Sequence, residues 1–271
     1  MNDNMLKKQG DAAVCGISGF VLKMIAVVTM LIDHTAATIL ERGLMGELSI
    51  NFITEQNRLI WMGIYSIMRV IGRMAFPVYC FLLVEGFTYT KSRGKYALRL
   101  FLFALISEVP FDLAFKKSWW DPSYNNVFFT LLLGLLAIIA LDWVRKNWKN
   151  VDDAGLKGVW FVSNLLKCIV LATITLGMMA IADLVLHTDY GASGVAAIIV
   201  MYLLYQKRML AFGVLVFVLT VLSSSIEIFA LLMLIPLHFY NGTRGKQAKY
   251  VFYAFYPVHL LVLVGICYLL T

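Results

Sequence analysis

From Phe20 to Leu40 the chain runs almost without a polar interruption, and comparable runs follow one another to the C-terminus. A membrane-crossing helix needs about 20 mostly apolar residues. Nine segments qualify as candidates: 20–40, 69–90, 96–115, 127–144, 165–186, 191–206, 209–223, 226–240 and 250–270. The composition agrees. Charged residues are 14% of the chain, well below the roughly 25% of a soluble domain. The expectation is an all-α polytopic membrane protein, a bundle of about nine helices with a range of eight to ten. No Pro/Gly/Ser-rich linker divides it, so residues 1–271 read as one domain. The seventh and eighth segments are short, and Ser223-Ser224-Ser225 joins them, so a re-entrant pair is an alternative there. The apolar stretch 59–68 reads as an interfacial helix leading into the second span.

The basic residues give the orientation. With the N-terminus in the cytoplasm, sixteen Lys and Arg fall in inside loops and four, Arg42, Arg58, Lys116 and Lys117, in outside loops. Such a bias sets orientation in membrane proteins. The expected location is the inner (cytoplasmic) membrane, crossed many times. The same distribution explains the net charge of +7 without nucleic acid. Four cysteines (Cys15, Cys80, Cys168 and Cys267) show no metal-ligand spacing, and the last three read as small core hydrophobes. No metal is expected. Asp152-Asp153 mark a solvated connector between 142 and 167.

Against this apolar background the ionisable residues stand out, because charge at membrane depth is costly and tends to be retained for a task. Lys23 and Asp33-His34 share the first span. Eleven residues make close to three turns, so Lys23 and His34 lie on one face about 16 Å apart along the axis. In a catalytic reading His34 is a general base, Asp33 orients it and Lys23 holds an anionic group. In a structural reading the three form an interior hydrogen-bond network, with Lys23 reaching the cytoplasmic surface.

Other clusters join them. Arg69 and Arg73 are neighbours on one face of the second span, just before Pro77. They suit an anionic group or a developing oxyanion, or a buried acid such as Asp33 or Glu108. Glu108 and Asp112, either side of Pro110, are candidate cavity residues or counter-ions. Asp189 is placed to cap the helix that follows Tyr190, whose ring is a further cavity candidate. Asp183 and His187 need no role beyond a helix end. Tyr256 and His259 share a face of the last span. No P-loop, GxSxG, HExxH or dinucleotide motif is present.

Several blocks resemble the TraX family in order along nearly the whole chain. They are Met30-Leu31-Ile32-Asp33-His34, Gly72-Arg73-Met74-Ala75-Phe76-Pro77, Asp189-Tyr190-Gly191-Ala192-Ser193-Gly194 and Phe255-Tyr256-Pro257-Val258-His259-Leu260. The family's known member acetylates the N-terminus of conjugative pilin, so the resemblance implies acetyl-CoA as acyl donor. The Lys-x10-His spacing of Lys23 and His34 is similar to the first-helix motif of the wider transmembrane acyltransferases, where the cation helps hold CoA and the histidine is catalytic. By that resemblance Lys23, Arg69 and Arg73 would hold the donor, although the type 3 pattern separates its arginines by two residues and this chain by three.

The reading is therefore a membrane acetyltransferase. Acetyl-CoA is the donor, His34, Asp33 and Arg73 the catalytic set, and Glu108, Asp112, Tyr190, Tyr256 and His259 the cavity candidates. The acceptor stays open among pilin, peptide, glycan and lipid. Two alternatives remain: a proton-coupled transporter relaying protons through the buried Asp, His, Glu and Arg, and a non-catalytic membrane scaffold.

Overall fold

A computed structural model describes residues 16–148, 157–246 and 248–271. Lys7, Lys8, Cys15, Lys149, Asp152 and Asp153 lie outside the described residues. The described chain is all-helical, without strands.

Helix α1 covers Gly19–Thr35 and continues through a π turn, Ala36–Leu40, into a final turn, Glu41–Leu44. The next helix is interrupted: α2, Arg58–Gly72, and α3, Ala75–Tyr89, meet at Arg73-Met74. The break has a local cause. Pro77 lacks the N–H that would bond to the carbonyl of Arg73, and it sits in the first turn of the new helix, where that missing bond costs nothing. Helices α4 (Arg93–Phe115) and α5 (Val127–Asn147) follow, and Asn126 caps α5 by accepting from the Phe128 amide at 3.0 Å. Helix α6 (Lys157–Ala180) ends in a second π turn, Ile181–Val185. Then come α7 (Gly191–Leu203), α8 (Arg208–Leu222), a 3-10 stretch Ser225–Met233 running into the short α9 (Leu234–His238), and α10 (Lys249–Leu270).

Among the described residues six helical segments are long and apolar enough to cross a bilayer: Gly19–Leu44, Arg58–Tyr89, Val127–Asn147, Ser163–Val185, Tyr205–Leu222 and Tyr250–Leu270. Gly191–Leu203 and Ser225–His238 are shorter apolar helices. The chain is a multi-pass membrane protein. Its flanks carry the apolar side chains this requires, such as Leu176, Leu184, Phe217 and Leu269, all exposed.

Three expectations need correction. The 59–68 stretch extends to Gly72 as α2, and α2 and α3 together make one long apolar candidate span, Arg58–Tyr89. The 226–240 segment is mostly 3-10 rather than α. A 3-10 helix rises further per residue than an α-helix, so the segment reaches further than its residue count suggests. The pair that it forms with α8 begins and ends at the same end of the bundle, where Arg208 packs over Tyr240 and Tyr240 pairs with Ile17. Cys168 is exposed rather than a core hydrophobe, whereas Cys80 and Cys267 are buried.

The bundle has two distinct ends. At one, Ile17 meets Tyr240, Gly19 donates to the Thr243 carbonyl, Arg93 pairs with Asp142, and Arg244 donates to the Tyr89 carbonyl. At the other, Ser49 donates to the carbonyl of Leu270, Lys117 pairs with Glu47, and Asn125 donates to the carbonyl of His187. The first end gathers Lys91, Arg93, Lys95, Arg145, Lys207, Arg208 and Arg244 and is called the basic end below. A core around Phe81, Ile138, Ile198, Phe212 and Leu215 fills the bundle between α3, α5, α7 and α8. The functional candidates sit beside it.

Candidate active site

A cavity of about 450 Å³ opens in the half of the bundle away from the basic end. Its walls come from α1 (Met30, Asp33, His34, Ala37, Glu41), the α2–α3 junction (Arg69, Gly72, Arg73), α10 (Tyr256) and the turn before α7 (Asp189, Tyr190).

Two imidazoles form one wall. His34 Nδ1 lies 2.7 Å from His259 Nε2, and His259 Nδ1 lies 2.8 Å from the Phe255 carbonyl. A carbonyl only accepts, so His259 Nδ1 carries a hydrogen. Its Nε2 is then the acceptor when neutral, and His34 Nδ1 must be the donor. His34 Nε2, which makes no hydrogen bond among the described residues, keeps its lone pair on a ring that lines the cavity. Phe115 and Tyr256 pack edge-on against that ring, at centroid distances of 5.4 and 5.9 Å.

The second wall is ionic. Asp33 Oδ1 forms an ion pair with Arg69 at 2.8 Å and accepts from Arg73 at 3.1 Å. Arg73 reaches on to Glu227 at 3.2 Å and, through Nε, to the Arg69 carbonyl at 3.3 Å. The guanidinium thus ties α1, the helix junction and the 3-10 stretch together with three of its five N–H groups, and two remain. Gly72 makes the junction possible. A Cβ there would overlap the Asp33 carboxylate, so only glycine lets α2 come this close to α1.

The third wall carries backbone strain. Tyr190 is left-handed (φ 63°), which costs a non-glycine residue about 1–2 kcal/mol. Its ring stacks on Phe76 at 3.8 Å. Asp189 beside it accepts from the Tyr124 hydroxyl at 2.7 Å.

The sequence candidates therefore divide. Asp33, His34, Arg69, Arg73, Tyr190 and Tyr256 converge on one cavity, with His259 directly behind His34. Asp33 does not orient His34, as its position suggested. Its carboxylate is taken by the two arginines, and His259 makes the orienting contact. Glu108 and Asp112 do not line the cavity. Glu108 bonds to Asn126, and Asp112 accepts from the Asp121 amide at 2.8 Å and pairs with Lys116 at 3.1 Å. They fasten the 116–126 loop, because Asn126 and Lys116 are closer partners than Arg73. Lys23 is also outside this cavity, three turns back at the basic end. The cap expected of Asp189 is made by Asp183, which accepts from the Ala192 amide at 3.1 Å.

Glu227, fully buried against Arg73, is the residue that sequence reasoning passed over. Its signal was present: a lone carboxylate in the apolar 226–240 run. Glu41, which accepts from Tyr65 at 2.9 Å at the cavity edge, was overlooked as well.

The family model described as TraX protein matches residues 18–267. The chain belongs to the TraX family. Its cavity is assembled from the blocks that carried the resemblance, the Asp33-His34, Gly72–Pro77, Asp189–Gly194 and Phe255–Leu260 segments. This TraX chain is also similar to the "Probable fimbrial assembly protein FimC, serogroup H1" of Dichelobacter nodosus. The two are 29% identical over 277 residues, an alignment that covers 91% of this chain and 94% of the relative. No solved structure matches it.

Proposed function

We propose that this protein is a membrane acetyltransferase of nine membrane-crossing segments, with its N-terminus in the cytoplasm and its seat in the inner membrane. It moves an acetyl group from acetyl-CoA to an amine or hydroxyl of an acceptor. The observation that carries the reading is the His34–His259 pair, which leaves one imidazole nitrogen with a free lone pair on a cavity wall beside two arginines. The gathering of basic residues at one end supports the orientation. The family, together with a relative named for fimbrial assembly, favours a pilin-type subunit as acceptor over glycan or lipid.

The chemistry balances on these residues. His34 Nε2 takes the proton as the acceptor's nitrogen or oxygen attacks the thioester carbonyl. The tetrahedral oxyanion forms beside the unspent N–H groups of Arg73. Its collapse breaks the carbon–sulfur bond, and the proton on His34 leaves with the CoA thiolate. His259 acts through His34 by holding its tautomer. Asp33 and Glu227 hold Arg73.

The test is mass spectrometry of fimbrial subunits from cells that carry wild type or His34→Ala on a deletion background. Acetylated subunit in the first and none in the second is the expected result. Full acetylation with His34→Ala would sink the reading. The proton-coupled transporter draws on the same imidazole pair; proton flux into proteoliposomes without acetyl transfer would favour it.

A further inference from the structure

A second hollow, of about 520 Å³, lies between α5, α6 and α7. Its walls are Leu141 of α5, Leu171, Ala172 and Leu176 of α6 and Leu203 of α7, and Arg145 of α5 is the charged residue among those that line it. Thr175 lines it too, but its hydroxyl hydrogen is taken up by the Leu171 carbonyl of its own helix at 2.9 Å. Leu176 and Leu203 are exposed, so the hollow opens on the flank of the bundle, and little of α6 is buried against the other helices. In a multi-pass membrane protein such a flank faces lipid.

Its polar and apolar parts are layered by depth. Helices α5 and α6 run antiparallel: the Asn125 amide before α5 donates to the His187 carbonyl beyond α6 at 3.0 Å, and Trp148 Nε1 at the end of α5 donates to Ser163 Oγ of α6 at 3.1 Å. Counted inward from the Trp148–Ser163 bond, Arg145 and Lys167 fall about 4.5 and 6 Å deeper, and Leu141 and Leu171 about 10.5 and 12 Å. Arg145 is one turn from Leu141, and Lys167 one turn from Leu171, so each cation stands above a leucine of the wall. Trp143 and Trp148 flank Arg145 in the chain, and the Trp143 ring is exposed. Tryptophan concentrates at the membrane–water interface. Arg145 and Lys167 therefore sit at headgroup level and the leucines at acyl-chain level.

Among the described residues neither Arg145 nor Lys167 has an ion-pair partner. Asp142, three residues before Arg145, is engaged by Arg93, Lys146 and the Tyr202 hydroxyl. A second copy of the chain does not supply the missing anion. Two copies in one bilayer share an orientation, so a two-fold contact over this face would set Arg145 and Lys167 against the same residues of the other copy at the same depth. Like charges so placed repel. A zwitterionic headgroup would bring its own cation beside theirs.

We infer that the hollow between α5, α6 and α7 binds an anionic phospholipid, with its phosphate on Arg145 and Lys167 and an acyl chain along Leu141, Leu171, Leu176 and Leu203. The guanidinium can meet two phosphate oxygens at once, and the ammonium reaches the same group on its flexible stem. Basic pockets between membrane helices hold anionic headgroups in this way. The bound chain packs against the exposed side of α6 and fastens that helix to α5 and α7. The site is separate from the His34 cavity and does not depend on the reaction proposed there.

The experiment is native mass spectrometry of the delipidated full chain in detergent, titrated with phosphatidylglycerol or with phosphatidylcholine of the same acyl composition. The variants are Arg145→Gln, Lys167→Gln, the double change, Arg145→Lys as a charge-retaining control, and Ala172→Trp, which fills the hollow. Wild type should hold one phosphatidylglycerol more tightly than phosphatidylcholine. Each Gln change should weaken phosphatidylglycerol about fivefold, and the double change about 25-fold. Arg145→Lys should keep most of the affinity, and Ala172→Trp should weaken both lipids. Equal affinity of wild type for the two lipids, or phosphatidylglycerol binding unchanged in the double Gln variant, would overturn the inference. A dimer that persists without lipid and is lost in Ala172→Trp would assign the face to a second copy and overturn it as well. Arg145 is exposed and Lys167 half-exposed, so the Gln variants keep the fold and decide the matter even where Ala172→Trp does not fold.

Discussion

The rings of His34 and His259 are nearly parallel, 9° apart, with their centroids 4.9 Å from each other and a nitrogen of each 2.7 Å from the other. At that spacing the two imidazoles are joined edge to edge, not face to face. The bond fixes which nitrogen of His34 can receive a proton. A His34→Ala chain should lose about 10²–10⁴-fold in acetyl transfer. A His259→Phe chain keeps the ring packing on Phe255 but frees the His34 tautomer. It should lose less, with the fall in kcat and little change in the KM for the donor. Steady-state kinetics on both variants checks this, and an unchanged kcat in His259→Phe would remove the orienting role.

Arg73 and Glu227 should be strongly coupled. Arg73→Ala leaves Glu227, which is fully buried, without its counter-charge. Breaking one side of such a pair costs roughly 3–5 kcal/mol, whereas replacing both partners with apolar groups often costs little. Arg73→Met/Glu227→Leu should therefore unfold at a higher temperature than Arg73→Ala. Thermal unfolding in detergent decides it, and additive losses would show the two residues to be independent.

Gly72→Ala tests the close approach of α2 to α1. The new methyl would overlap the Asp33 carboxylate, and overpacking of this kind typically costs about 1–3 kcal/mol. Asp33 would have to leave the arginines. Gly63→Ala on the same helix meets nothing and serves as the control. A drop in activity and melting temperature for Gly72→Ala alone is the expected pattern.

Acid should loosen the end of the bundle opposite the basic one. Bonding to Lys117, and less to Arg42, holds the Glu47 carboxyl below its usual value of 4.5. A carboxylate with a lowered value in the folded state stabilises above its unfolded value, and that contribution is lost as pH falls through the folded value. Amide exchange in the 45–57 loop, corrected for intrinsic rate, should thus rise as pH drops below about 4.5. Glu47→Gln should show the faster rate at every pH. The pair is exposed, so the effect is local and small.

The helical class was legible because continuous apolar runs admit few other forms at membrane depth. The site was legible where chemistry was out of place, as with Asp33, His34, Arg73 and His259 in apolar helices. Pairings were not. Asp33 adjoins His34 in sequence, but consecutive helical side chains diverge by about 100°, so the carboxylate faces α2 while the imidazole faces α10. Glu227 escaped notice because nothing in a linear string says that a 3-10 stretch will bring it to an arginine 154 residues away. Glu108 and Asp112 looked like cavity acids on the same grounds as Asp33. Only the fold shows that a loop claims them.

The π turn at Ala36–Leu40 has a bearing on how this family can vary. It carries one residue more than an α turn, so everything beyond it is rotated by about 100° relative to an uninterrupted helix. That rotation brings Glu41 round to Tyr65 at the cavity edge, although His34 precedes the turn. A one-residue deletion between 36 and 40 would leave the His34 face untouched and swing the rim away from it. Relatives that differ there would keep the His34–His259 pair and differ in what the cavity admits.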